Sequence, residues 1–163
     1  MHWLERLALV CGGAAALFLC LIGVIVAAQI GSRLFGLQIP AADDFAAWCM
    51  AASIFLALPY AMLRGDHIRV TLLLQFLPTR AKYVYEIVAT MIAMALTAWC
   101  AWQAAQFVHE SFIYNELAQG MIALPLWIPQ SSMPIGLSLF ALMLLRRLVR
   151  CLRGQDLEAT EHG

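Results

Sequence analysis

The residues able to do chemistry in this sequence are few, and their spacing does not assemble a reactive site. Cys11, Cys20, Cys49, Cys100 and Cys151 form no CxxC pair and no metal-ligand spacing. Four of them lie inside apolar runs, where a free thiol acts as a small hydrophobe. His67 precedes the apolar run 83–108 and His109 follows it, so they lie on opposite sides of that run and cannot bracket a haem, and His2 and His162 lie in short tails. A zinc site needs Cys, His or carboxylate ligands at fixed offsets, and a phosphate loop or nucleophile–base pair would carry its own motif. Neither pattern occurs. The expectation is a non-enzyme with no cofactor or metal of its own.

Charge within the apolar runs is equally sparse. Ionisable groups are costly inside a bilayer and mark ion or substrate paths when they occur there. Only Glu86 lies within such a run, close to Arg80 and Lys82, where pairing at a membrane surface is the simplest account. Gln29, Gln103 and Gln106 sit near the other ends of their runs, placed to bind neighbouring backbone. The embedded first-span Glu of small drug–proton antiporters and the CxxC of four-helix thiol oxidases are both missing.

The elements that must hold these residues are membrane helices. The chain has 163 residues, 63% hydrophobic and 12% charged, with a mean hydropathy of +0.81. A soluble domain would carry about 25% charged residues. A bilayer core of about 30 Å takes roughly 20 apolar helical residues, and four runs offer them: 7–30, 45–63, 83–108 and 127–145. Helices are the only form such runs can take in lipid. The fold class expected is therefore an all-α integral membrane protein, a single membrane domain of four transmembrane helices. The first run exceeds a signal-peptide core and reads as an ordinary span.

Orientation follows from the basic residues. Arg6, Arg64, Arg69, Arg80, Lys82, Arg146, Arg147, Arg150 and Arg153 fall on one side of the four runs, and Arg33 alone on the other. The positive-inside rule then puts both termini and the middle loop in the cytoplasm of a multi-pass inner-membrane protein. Asp43, Asp44, Glu110 and Glu116 face outward. Trp3, Trp48, Trp127 and Tyr83 lie near run ends, as interfacial aromatics do. Trp99 and Trp102 are deeper, on adjacent turns of one face, where helix packing is the expected use. Basic residues confined to span ends are no nucleic-acid footprint.

Two stretches suggest contacts. In 66–78, His67, Thr71 and Gln75 form a polar i, i+4 stripe, with Ile68, Leu72, Leu73, Phe76 and Leu77 around the other side. Gly65 and Pro78 bound it, so the segment reads as an amphipathic interfacial helix, with an irregular hairpin as the alternative. The fourth run opens with Pro125, Pro129 and Pro134, then Gly136. Pro134 should kink the helix or delay its start. Gly136 and Ser138 either admit a close helix or shape the entry into the membrane.

With these residues in view, the chain resembles the small membrane subunit of the tripartite ATP-independent periplasmic (TRAP) transporters over nearly its whole length. The resemblance is carried by Arg33, then Pro40 and Asp43-Asp44 with Trp48; by Gly65-Asp66-His67-Ile68-Arg69-Val70 leading to Leu77-Pro78; and by Ile128-Pro129, Met133-Pro134-Ile135-Gly136 and Arg146-Arg147. Family members often have Glu where Asp44 stands, and a Gly near Leu58. The resemblance implies a scaffold for a large multi-span permease subunit. That subunit would hold the substrate and sodium sites, with a periplasmic solute-binding protein delivering an organic acid and a sodium gradient driving uptake. It makes Arg33, Asp43, Asp44, His67, Arg69, Pro134 and Gly136 candidate partner or interface contacts, against ordinary headgroup or solvent contact. The competing reading is a self-contained homo-oligomeric carrier or channel, with Pro134 and the outer amides lining a pore.

Overall fold

A computed structural model describes residues 2–64, 79–120 and 122–152. The described chain is helical throughout its long elements: α1 His2–Leu34, α2 Ala42–Arg64, α3 Thr79–Ile113, the short α4 Trp127–Gln130 and α5 Ser132–Leu152. Three of these, α1, α2 and α3, are long and apolar enough to cross a membrane. The fourth expected span is divided between α4 and α5, and α5 carries Arg146, Arg147 and Arg150 in its last turns. The expected interfacial helix at 66–78, with His67 and Arg69, lies outside the described residues.

The helix ends follow local stop signals. Gly36, at φ 72°, ends α1: its amide donates to Arg33 and the Leu37 amide donates to Ser32. Asn115, at φ 49°, ends α3 in the same way, with Asn115 donating to Phe112 and Glu116 to Ser111. Both are left-handed caps that satisfy the last carbonyls. They let α1 and α3 run past their apolar stretches to 33 and 35 residues. At 1.5 Å per residue each reaches about 50 Å, so in a bilayer each must tilt or project.

Hydroxyls within the helices bond to their own chain. Ser32 donates to the Gln29 carbonyl, Ser53 to Met50 and Thr97 to Ala93, at 2.7–2.9 Å. This is how a polar side chain is accommodated on an apolar helix.

The helices assemble as an open row, in the order α1, α2, α5, α3. Chain direction makes α1 antiparallel to α2 and α5 antiparallel to α3, so the row is two helical pairs joined by the α2–α5 seam. Small residues form the seams. Ala8, Cys11 and Ala15 are buried along one face of α1, and Cys49, Ala52 and Ser53 are buried on α2. On α3 the covered positions from 86 to 111 are 86, 87, 90, 93, 94, 97, 101, 104, 108 and 111, a stripe at three- and four-residue spacing. Without a hydrophobic force between helices in lipid, small side chains that permit close approach supply the packing.

At the α2–α5 seam a glycine meets backbone directly. Pro59 lies inside α2 and is fully buried. Lacking an N–H, it deprives the Phe55 carbonyl of its usual helical donor. Gly136 of α5 packs directly on that carbonyl, and a β-carbon there would come 2.6 Å from the Phe55 carbonyl carbon. Pro134, two residues earlier, falls in the first turn of α5, where no intrahelical donor is needed. The helix accordingly starts at Ser132, after the break at Ser131.

At the arginine-rich end, α1, α2 and α5 converge. Leu4, Ala8 and Met143 form a buried cluster flanked by Met62 and Leu63. Arg146 donates to Glu5 at 2.5 Å, tying the start of α1 to the end of α5. Arg64 stacks over the Tyr60 ring, 5.7 Å from its centroid.

Two substitutions separate these contributions. Gly136→Ala overpacks a backbone contact and should cost about 1–3 kcal/mol, read as a lower melting temperature of the detergent-solubilised chain. Gly23→Ala, with open space around it, should leave that temperature unchanged or raise it. Glu5→Gln should cost at most about 1 kcal/mol, because the Glu5 side chain is 37% exposed. A larger loss on thermal unfolding would mean that this pair, and not the α2–α5 seam, governs assembly.

Candidate functional site

The candidate contact residues separate by helix end. At the end opposite the arginine cluster, the α1–α2 turn forms a polar recess of about 170 Å³ lined by Gln29, Arg33, Gln38, Ile39, Ala41, Ala42 and Asp43. Gln29 Nε2 donates to Asp43 Oδ1 at 3.0 Å. The partner of Gln29 is thus a carboxylate, where the sequence suggested neighbouring backbone. Arg33 and Asp43 are both exposed and share the recess without forming an ion pair. In the first turn of α2 both Asp43 and Asp44 also complement the positive end of the helix dipole.

Asp44 does something different from its neighbour. Its carboxylate packs on Gly120, where a side chain would collide with Oδ2. The loop from 114 to 126 is thereby held over the start of α2. That loop is a small hairpin-like turn: Ala118 N–H donates to the Leu124 carbonyl at 2.8 Å, and Leu126 N–H donates to Glu116 at 3.0 Å. The Ser111 hydroxyl donates to Glu116 Oε2 at 2.8 Å. Phe112 meets Trp127 edge to face, with ring centroids 5.6 Å apart, and so joins the end of α3 to α4.

Below this capped end lies an apolar cavity of about 400 Å³ between α1, α2 and the α4–α5 junction. Phe18, Phe45, Trp48, Leu56, Ile128 and Ile135 contribute most of its wall. Its polar lining is slight, which suits hydrocarbon and not a hydrated ion. Among the described residues there is no group of three His, Cys, Asp or Glu side chains able to hold a metal. Glu86 is half-buried near the start of α3 and is engaged by other groups.

The structure brings together Arg33 with Asp43, and Asp44 with the outer loop. Pro134 and Gly136 stand apart from both, Gly136 being covered by α2 of the same chain. His67 and Arg69 belong to the undescribed segment. Trp99 and Trp102 differ from expectation. They are 66% and 64% exposed, on the side of α3 away from α5, so packing within this chain does not account for them. They share that face with Val88, Ile92 and Leu96, all exposed.

Sequence reasoning missed Glu5, Gly12, Pro59 and Gly120. Pro59 was visible as a proline within an apolar run, a signal of a freed carbonyl that needs a neighbour. Gly12, whose β-carbon would lie 2.6 Å from Tyr60 Cγ, and Glu5 have partners 48 and 141 positions away, and nothing local identifies such pairs.

The family model of the tripartite ATP-independent periplasmic transporters, DctQ component, matches residues 21–154. The chain is also similar to the isethionate TRAP transporter permease protein DctMQ of Oleidesulfovibrio alaskensis, with 28% identity over 151 residues. That match covers 88% of this chain but 23% of the relative, so the chain spans about a quarter of the length of the curated protein it matches. DctQ is a transporter component and not an enzyme. Matched over most of its length, from within α1 to just beyond α5, the chain belongs to the DctQ component family of the TRAP transporters.

Proposed function

We propose that this chain is the scaffold subunit of a TRAP transporter, holding a separate large permease subunit in the inner membrane. The observation that carries the reading is the open row of helices. A self-sufficient bundle covers its helices on several sides, whereas α1 and α3 are each buried along one narrow stripe and present broad apolar faces elsewhere. The exposed face of α3 carries Trp99 and Trp102, and large aromatic anchors are characteristic of partner contacts. Ionisable groups gather at the helix ends, which supports a structural role and leaves ion and substrate chemistry to the partner. The relative DctMQ is a permease of which this chain matches a quarter, and we read the remainder as the counterpart of that large subunit.

In this reading the row crosses the membrane four times with both termini in the cytoplasm. Residues 127–145, α4 together with the apolar part of α5, reach about 28 Å at 1.5 Å per residue, close to the core thickness. Arg146, Arg147 and Arg150 then stand at the inner headgroups, where long basic side chains reach outward to the interface. The segment 66–78 lies along the inner surface, with His67 and Arg69 fixing its depth. Arg33 and Asp43 face the periplasm, on the side from which a solute-binding protein delivers its cargo. The solute is an organic acid, and uptake is driven by a sodium gradient acting on the large subunit.

The chain and a co-expressed large permease should co-purify after mild detergent extraction, and uptake should require both. Replacing Trp99 and Trp102 together by Ala should reduce recovery of the large subunit several-fold while leaving the melting temperature of the chain alone unchanged. Solute flux through vesicles holding this chain alone would instead establish a homo-oligomeric carrier. Reporter fusions at residue 163 and at residue 37 should read cytoplasmic and periplasmic respectively, and the opposite pattern would reverse the orientation.

A further inference from the structure

The arginine-rich end holds a second site that the scaffold role does not use. Arg146, Arg147 and Arg150 line a cleft with Met62, Leu63 and Met143. Positions 146 and 150 are one turn apart and 147 and 150 three residues apart, so all three rise from one side of α5. Arg146 is neutralised by Glu5. Arg147 and Arg150 have no ion pair among the described residues, and the Nε atom of each is fully covered yet donates to nothing. With the Nε sealed inside, the two terminal nitrogens of a guanidinium remain as the fork that matches two oxygens of a phosphate. Two guanidinium groups that line one cleft without an ion pair suit an acceptor that carries several oxygens and negative charge.

The position of the cleft selects the source. It begins where the apolar stretch of α5 ends, so in a bilayer it lies at headgroup depth, where anionic lipids concentrate basic side chains. Its floor of Met62, Leu63 and Met143 is apolar, and its enclosed volume is only about 30 Å³. That admits an oxygen of a phosphodiester from above while the rest of the headgroup caps the opening. A free phosphate gains nothing from the apolar floor, and a zwitterionic lipid brings its own cation to two uncompensated arginines. We infer that Arg147 and Arg150 bind the phosphodiester of an anionic phospholipid in this cleft. The site requires that the apolar helices lie in a membrane, and does not depend on the scaffold reading.

The test uses the full chain in detergent, titrated separately with short-chain phosphatidylglycerol, short-chain phosphatidylcholine and inorganic phosphate, with melting temperature as the readout. Phosphatidylglycerol should raise that temperature by several degrees, and the other two should not. Arg147→Gln/Arg150→Gln should weaken the response at least tenfold, while Arg33→Gln at the far end should keep it. Arg147→Lys/Arg150→Lys retains charge but loses the forked guanidinium; it should weaken the response at least threefold, and it serves in place of the Gln pair if that variant does not fold. An undiminished response in either double variant overturns the assignment. Equal stabilisation by inorganic phosphate makes the ligand a free anion, and equal stabilisation by phosphatidylcholine makes it the acyl chain; either result also overturns it. Co-purification with a large permease can fail or succeed independently of every one of these outcomes.

Discussion

The contact between the Phe55 carbonyl and Gly136 joins two halves of this molecule. On one side stand α1 and α2, on the other α5 and α3, and each is an antiparallel pair with its own small-residue seam. Pro59 frees the carbonyl, and in an apolar setting a freed backbone group must be covered by a close neighbour. Gly136 is the residue that lets the α5 backbone come near enough. The glutamate–arginine pair at the basic end and the aspartate–glycine contact at the other end then fix the ends of the row, around a centre already set by this junction.

A row, unlike a closed bundle, has two edges. Lipid rewards apolar surface no less than another apolar helix does, so nothing forces α1 and α3 to meet. Their outward faces remain available, and the most aromatic of them carries Trp99 and Trp102. The same geometry explains why charge is found at the ends. The buried residues of the helices are Ala, Cys, Gly, Ser and Thr together with Pro59, Met143, Leu144 and a few other apolar side chains, whereas the ends reach polar surroundings and can hold Gln29 with Asp43 and Arg146 with Glu5.

Division of labour follows from these two features. A chain that uses its buried residues for close helix contact and keeps its ionisable groups at the helix ends has few groups left for binding a solute. Membership of the DctQ component family fits that distribution.

The sequence by itself determined that the chain is helical and built for a membrane, because run length and charge depletion are properties of single segments. It also marked Gly136 as a place for close approach, and it held the family resemblance in the ordered elements around Arg33, Asp43, Asp44 and Pro134. Helix ends at Gly36 and Asn115 were equally local but were passed over, since apolar runs stop before their helices do. Tertiary structure alone decided which helices are neighbours, that Asp44 holds Gly120 while Asp43 holds Gln29, and that Trp99 and Trp102 face outward. The reason is that lipid satisfies every apolar face equally. Hydropathy therefore specifies that a helix crosses, while the choice of neighbour rests on a few atoms of backbone approach and on charged partners as far apart in the chain as Glu5 and Arg146.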